Sequence, residues 1–304
     1  EVFAIQEAFN QQIDLRKATL IVSLEPCSHH GKTPPCVDLI IQHKIKKVVI
    51  LSLDPNPRVA GIEQLKLHGV EVELALTPSA KALNARFFTN HLLGRPHYIL
   101  KLASTVDGKI ADAKSKSKWI SNAASRSFVH QQLRANVDAI LTTSKTVIHD
   151  QAKLNIRDDQ GSALEANVLI IDKNLDLLDS VNKNLPIFYP RIETKIYLIT
   201  DQTCPKELPA HIECIQGIFD KDGLVFASIH KTLLEKGFSK ILTEGGQKIN
   251  SSMIQQQIAD ELYWFIAPTI MNDANALSML GLTAFVGLEH ATRLKLISNQ
   301  TLNE

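Results

Sequence analysis

Short apolar runs alternate with stretches of helical spacing along most of this chain. That alternation restricts it to layered α/β architectures, in which helices cover the faces of a largely parallel sheet. Val2 to Phe9 carries apolar residues at helical spacing, Ala18 to Leu24 reads as a buried strand, and Pro34-Pro35 marks the first turn of a helix through Ile41. Val48 to Leu53 is a second strand, Ile62 to His68 a helix stopped at Gly69, Val70 to Leu76 a third strand, and Ser79 to Leu92 one long amphipathic helix. Gly94-Arg95-Pro96 then breaks the pattern, because a proline disfavours helix at the residue before it. Two domains are expected, 1–95 and 96–304. In the second, strands are expected at 98–103, 139–142, 168–172, 195–200, 240–243 and 261–267, with helices at 122–135, 229–236 and after Gly246. Residues 158–167 and 174–184 are polar and read as loops.

Composition narrows the function classes. Hydrophobic residues make up 44% of 304, enough to bury a core in each of two domains. Thirty-three Lys and Arg against thirty-two Asp and Glu leave a formal charge of +1, which supplies no broad basic surface for nucleic acid. The longest apolar runs fall far below the ~20 residues of a membrane helix. The cysteines at 27, 36, 204 and 214 could pair in an exported protein, but no signal-like apolar segment opens the chain, so a reducing cytoplasm is the simpler expectation. Cys204 and Cys214 stand in no ligand spacing and read as structural.

Cys27 and Cys36 frame the run Pro26-Cys27-Ser28-His29-His30-Gly31-Lys32-Thr33-Pro34-Pro35-Cys36. Two cysteines alone would more often be small buried hydrophobes. Here Cys36 follows a proline pair at a helix start, where unpaired N–H groups and the helix dipole favour a negative sulfur. With Glu1 opening an apolar helix, the set resembles a zinc deaminase site, in which one His and two Cys hold the metal and a non-ligand Glu moves protons. In that pattern the His stands two residues before the Glu, so this chain is expected to be a fragment whose zinc centre lacks its imidazole.

The eight-residue gap between the cysteines resembles, more narrowly, the family of bifunctional riboflavin-biosynthesis deaminase/reductases. Asp54-Pro55-Asn56-Pro57, Lys101-Leu102-Ala103-Ser104, Asp107-Gly108-Lys109, Trp119-Ile120-Ser121, Leu133-Arg134, Asp138-Ala139-Ile140-Leu141, Thr146-Val147 and Glu244-Gly245-Gly246 follow in that family's order. The resemblance implies a cytidine-deaminase-like three-layer domain followed by a dihydrofolate-reductase-like α/β domain. It implies zinc on Cys27 and Cys36, with Glu1 as proton carrier and His29 and Lys32 at the substrate, and NADPH in the second domain. The substrate implied is a small phosphoribosylaminopyrimidine, deaminated first and then reduced from ribosyl to ribityl. A homodimer or larger assembly through the reductase half is implied as well.

Ile241-Leu242-Thr243 followed by Glu244-Gly245-Gly246-Gln247-Lys248 reads as strand, glycine turn and helix, a geometry that lets backbone N–H groups approach a pyrophosphate. A lone Gly-Gly is ordinarily just a turn, and this is not the Gly-x-Gly-x-x-Gly fingerprint. By resemblance, Gly245, Gly246, Gln247, Lys248, Ile249, Asn250 and Ser251 contact the cofactor, with Ser104, Trp119, Thr146, Asp150 and Lys173. Lys101, Ser117, Leu154 and Glu244 fall at substrate positions. Arg134 and Arg157 would grip the 5-phosphate through paired guanidinium donors, although sequence alone would make each a solvated charge. Lys101 and Asp150 are expected to orient the ribose for hydride transfer to its C1. One departure stands out: Gln151-Ala152 replaces the family's Asn-Pro, removing proline's fixed φ from that loop. The rival readings are a nucleic-acid deaminase, which charge and length oppose, and a binding protein that does not turn over its ligand.

Overall fold

In the amino-terminal unit, Glu1–Gly94, three parallel strands pair in the order β1 (Thr19–Val22), β2 (Lys47–Ile50), β3 (Glu71–Leu74). Around them run α1 (Val2–Asn10), α2 (Cys36–Gln42), α3 (Gly61–Leu67), α4 (Pro78–Leu83) and α5 (Ala85–Leu93). The computed structural model describes all residues except 31–33, 57, 158, 159, 161, 183, 190, 282–290, 303 and 304. Ile5, Val37, Ile40, Val48, Ile50 and Leu65 close the core between helices and sheet. The single helix expected over 79–92 is two, broken at Asn84. Its side-chain amide donates to the Ala80 carbonyl at 2.9 Å and to Ser23 at 3.1 Å, a local alternative to the helical ladder. Gly94 ends α5 in the left-handed region at φ 61°, where glycine carries no Cβ penalty.

The second unit, Arg95–Glu304, holds β4 (His97–Thr105), β5 (Lys109–Ala111), α6 (Ala123–Phe128), β6 (Ala139–Thr143), α7 (Ser144–Asp150), β7 (Ile156–Arg157), β8 (Ala163–Leu164) and β9 (Val168–Ile171). It continues with β10 (Ile196–Thr200), β11 (Ile212–Gln216), α8 (His230–Glu235), β12 (Lys240–Glu244), α9 (Gln247–Gln255), β13 (Ala259–Ala267) and β14 (Leu277–Ser278). Seven strands form one parallel sheet in the order β11-β10-β9-β6-β12-β4-β13. One core cluster holds Tyr98, Leu100, Phe226, Ile241 and Met253, and another holds Ile140, Val168, Ile170, Ile187 and Leu198. β12 inserts between β4 and β6, so the chain reverses its direction of travel across the sheet there. Open α/β sheets bind ligands at such a point, beyond the carboxyl ends of the strands.

The helix expected over 122–135 is regular only to Phe128. A π turn over Val129–Leu133 and a 3₁₀ turn over Arg134–Asn136 complete it. Cys204 and Cys214, which read as structural, are joined as a disulfide with Cα atoms 6.0 Å apart, tying the loop after β10 to its neighbour β11.

Candidate active sites

In the amino-terminal unit, α2 begins at Cys36, and its first N–H groups turn back on Cys27. The Cys36 amide donates to the Cys27 sulfur at 3.2 Å and the Val37 amide to the Cys27 carbonyl at 3.2 Å. The Cys36 sulfur lies 3.6 Å from the Glu1 carboxylate. The segment bearing Cys27 is pinned from behind. Glu25, nearly buried, accepts from the Asp54 and Ile62 amides, and the Ser28 hydroxyl accepts from Ala60. Gly61 closes the approach: a Cβ there would sit 2.1 Å from the Pro26 carbonyl oxygen.

Burial pushes the Cys36 thiol up to about 12, with the Glu1 charge and Cys27 adding to it. The two sulfurs form a donor pair suited to a thiophilic divalent cation, which would reverse that penalty. Cys27 and Cys36 therefore fit zinc as two of its ligands. Among the described residues no third His, Cys, Asp or Glu completes the group. His29 is exposed, and Lys32 lies outside the described residues.

In the second unit a cavity of about 1060 Å³ opens at the carboxyl ends of β4, β6 and β12. Eight Lys and Arg side chains line it against two carboxylates, Asp150 and Glu244, so its field favours ligands with several negative charges. α9 begins at its wall, with Gly246 as an N-cap that offers no side chain. A Cβ on Gly246 would meet nothing within 4 Å, whereas one on Gly245 would strike Ile249 at 2.4 Å. Bare amides and open space at a helix start suit a pyrophosphate, so the cavity fits a dinucleotide.

Glu244, at the end of β12, is bound twice by Arg134: Nε to Oε1 at 2.6 Å and Nη2 to Oε2 at 3.1 Å. Both side chains are 13% exposed. Burial alone would raise the Glu244 carboxyl, but Arg134, helped by Lys101 and His130, holds it at about 2. Burial lowers the Lys101 ammonium, with Glu244 opposing and Arg134 assisting. Its Nζ lies 5.9 Å from the centre of the Phe265 ring. Burial, reinforced by the Arg134 charge, brings His130 down to about 4.

Of the residues singled out from sequence, Lys101, Ser117, Trp119, Arg134, Thr146, Asp150, Leu154, Arg157, Glu244, Gly245, Gly246, Gln247, Lys248, Ile249 and Asn250 line this cavity. Three do not. Ser104 lies on the opposite face of β4 from Lys101, its hydroxyl taken by Trp264 at 2.8 Å and the Thr105 carbonyl at 3.0 Å. Ser251 is buried, donating to Gln247 and accepting from Gly281, both at 2.8 Å. Lys173 is 3.6 Å from Asp201 and above the Phe219 ring. Arg134 also departs from its expected duty as a free phosphate clamp, since Glu244 and the Asn155 carbonyl (2.7 Å) occupy its three nitrogens. Arg157 lines the cavity exposed and, among the described residues, has no ion pair.

Sequence reasoning missed Arg126, His130, Lys145, Lys153 and Phe265 in the lining. Arg126 stacks 4.4 Å from the centre of the Trp119 ring. A signal was present for two of them, because 126, 130 and 134 recur every four residues on one helical face. The Gln151-Ala152 segment takes a left-handed residue at Gln151, φ 51°, and its side chain donates to Ile148 at 3.0 Å.

Residues 96–304 match the RibD C-terminal domain, and residues 1–52 match the cytidine and deoxycytidylate deaminase zinc-binding region. The chain is 34% identical to the riboflavin biosynthesis protein RibD of Actinobacillus pleuropneumoniae, over 96% of this chain and 77% of that one. Identity is also 34% with the RibD of Aquifex aeolicus, over 93% and 77%. Among solved structures, the diaminohydroxyphosphoribosylaminopyrimidine deaminase/5-amino-6-(5-phosphoribosylamino)uracil reductase of Thermotoga maritima aligns with a TM-score of 0.76 at 36% identity, over 90% of this chain and 74% of that one. Acinetobacter baumannii RibD aligns with a TM-score of 0.79 at 30% identity, over 99% and 82%.

Proposed function

This chain belongs to the RibD family of riboflavin-biosynthesis proteins, pairing a deaminase region with a reductase domain, and we propose which cofactors, substrate and residues its two halves use. The substrate is a diaminopyrimidinone carrying a phosphoribosylamino group: the amino-terminal half deaminates it and the carboxy-terminal half reduces the ribosyl to ribityl. The electropositive cavity, with the twin-glycine turn at the start of α9, is the observation that carries the reductase reading.

In the first half, Cys27 and Cys36 would hold zinc, which supplies the Lewis acidity that activates water at neutral pH. Glu1, beside Cys36, takes a proton from the attacking water and returns it to the departing ammonia. His29 and Lys32 face the pyrimidine and phosphate ends of the substrate. In the second half the cavity would hold NADPH, whose chemistry is donation of a hydride, here to C1 of the sugar. The amides of Gly246 and Gln247 would receive its pyrophosphate, and Trp119, Thr146 and Asp150, which line the same cavity, would hold the rest of it, without Lys173. Arg157 grips the 5-phosphate, Glu244 meets the pyrimidine while Arg134 fixes its charge and direction, and Lys101 and Asp150 orient the ribose.

A cytoplasmic location belongs to this reading, because Cys27 and Cys36 must stay reduced to bind metal, while the Cys204–Cys214 disulfide is the feature that argues for an oxidising compartment. So does a homodimer or larger assembly through the reductase half, supported by Trp264 and Ile266 exposed on the edge strand β13. The test is NADPH consumption on addition of the deaminated substrate. Turnover is expected, with Arg157→Ala raising KM for the phosphorylated substrate by roughly 10–100-fold, the loss of one charge-assisted phosphate contact. No consumption by the unsubstituted chain would overturn the reductase assignment.

A further inference from the structure

The segment 277–281 is bonded to two walls of the reductase cavity at once, and neither half-reaction uses it. On one side β14 pairs antiparallel with β5, Leu277 opposite Ala111 and Ser278 opposite Lys109. The Met279 amide donates to the Gly108 carbonyl at 2.9 Å. Lys109 Nζ donates to the Ala276 carbonyl at 3.2 Å and to the Ser278 hydroxyl at 3.3 Å. On the other side α9 holds the same segment by its side chains. Asn250 Nδ2 donates to the Met279 carbonyl at 3.1 Å, and the Ser251 hydroxyl accepts the Gly281 amide at 2.8 Å. Asn250 and Ser251 are both buried. The approach is close, since a Cβ on Gly281 would lie 2.6 Å from Gln247 Cδ.

β5 and β14 have three and two residues, and a two-stranded ribbon that short is marginal by itself. Its bonds to α9 give it a fixed place. β5 in turn leads into another part of the cavity wall: Asp112 accepts the Lys114 and Lys116 amides, each at 2.8 Å, in a turn that delivers Ser117 to the lining. The start of α9 and the Ser117 wall are thereby joined through the strap 277–281 and not through a ligand. We propose that Lys109, Asn250 and Ser251 are positioning residues that couple the two ligands of the cavity. A dinucleotide seated at the start of α9 steadies the strap, and the strap steadies Ser117 for the pyrimidine substrate. This rests on the nicotinamide reading of the cavity. Coupling of this kind is reciprocal, so the pyrimidine tightens the dinucleotide by the same factor.

The test is calorimetric titration of the deaminated pyrimidine into the full chain with and without saturating NADP⁺, two ligands that cannot react with each other. In the unsubstituted chain NADP⁺ is expected to tighten the pyrimidine about fivefold. Lys109→Met keeps the aliphatic stem but removes both of the side chain's bonds to the strap. It is expected to bring that factor below about twofold, while NADP⁺ alone binds within about twofold of the unsubstituted chain. Ser251→Ala frees the strap from the α9 side and is read by the same factor, which a direct loss of affinity for either ligand leaves unmoved. It serves alone if Lys109→Met does not fold. A factor retained in either folded variant would reduce these residues to structural ones and overturn the inference. An unsubstituted chain that binds both ligands with no coupling would overturn the inference and leave the nicotinamide reading standing. Failure of that chain to bind NADP⁺ would overturn both.

Discussion

Arg134 and Glu244, distant in sequence, meet in the reductase cavity through two parallel hydrogen bonds at 2.6 and 3.1 Å. This pair sets the electrostatics of the site. It keeps a carboxylate ionised where burial alone would neutralise it, and it directs one face of Glu244 while leaving Lys101 and His130 close by.

Removing one partner strands the other's charge. Arg134→Ala is expected to destabilise the second unit by about 3–5 kcal/mol, whereas replacing both residues with apolar side chains of similar volume costs less. Chemical unfolding of the single and double variants measures the difference. Similar losses in both would deny the pair its coupling.

Acid sensitivity follows in two steps. Glu244 has its folded pKa depressed to about 2 against about 4.3 unfolded, so its contribution is full above the unfolded value and fades as pH falls through the folded one. His130 is depressed to about 4 against about 6.5, so protonation of the unfolded chain erodes stability over that higher window. Glu244→Gln should flatten the lower window and His130→Gln the upper one, read from unfolding midpoints across pH. Loss of the same window in both variants would contradict the separation.

The two adjacent glycines should behave differently. Gly245→Ala drives a methyl into Ile249 and is expected to cost about 1–3 kcal/mol through overpacking. Gly246→Ala meets open space, so stability should hold while dinucleotide binding weakens about tenfold. Thermal unfolding and NADP⁺ titration of each variant separate the cases.

With two sulfurs as its only clustered ligands among the described residues, the amino-terminal centre is expected to retain less than one zinc per chain. Cys36→Ser should abolish what remains. Elemental analysis giving one tightly held zinc per chain would show that another group completes the site.

How far the sequence carried can be read from single elements. β4, β12 and the Gly94 break were legible because buried parallel strands are uninterrupted apolar runs and a left-handed cap asks for glycine. β11 and α7 were not. Ile212–Gln216 alternates with Glu213 and Cys214 in a short span, and α7 is only seven residues long. Residues expected along the cavity largely line it, but whether a charge is free or paired depends on contacts remote in sequence. Hence Arg134 and Arg157, alike as sequence, part company in the structure, and Ser104 faces away from Lys101 because residues three apart on a strand point oppositely.

The most direct measurement of the reductase claim is the fate of hydrogen from NADPH deuterated at nicotinamide C4, with the deaminated pyrimidine as acceptor. The account predicts one deuterium on the ribityl carbon that was C1 of the ribose, with stoichiometric loss of NADPH. No transfer, or deuterium at any other carbon, would contradict it.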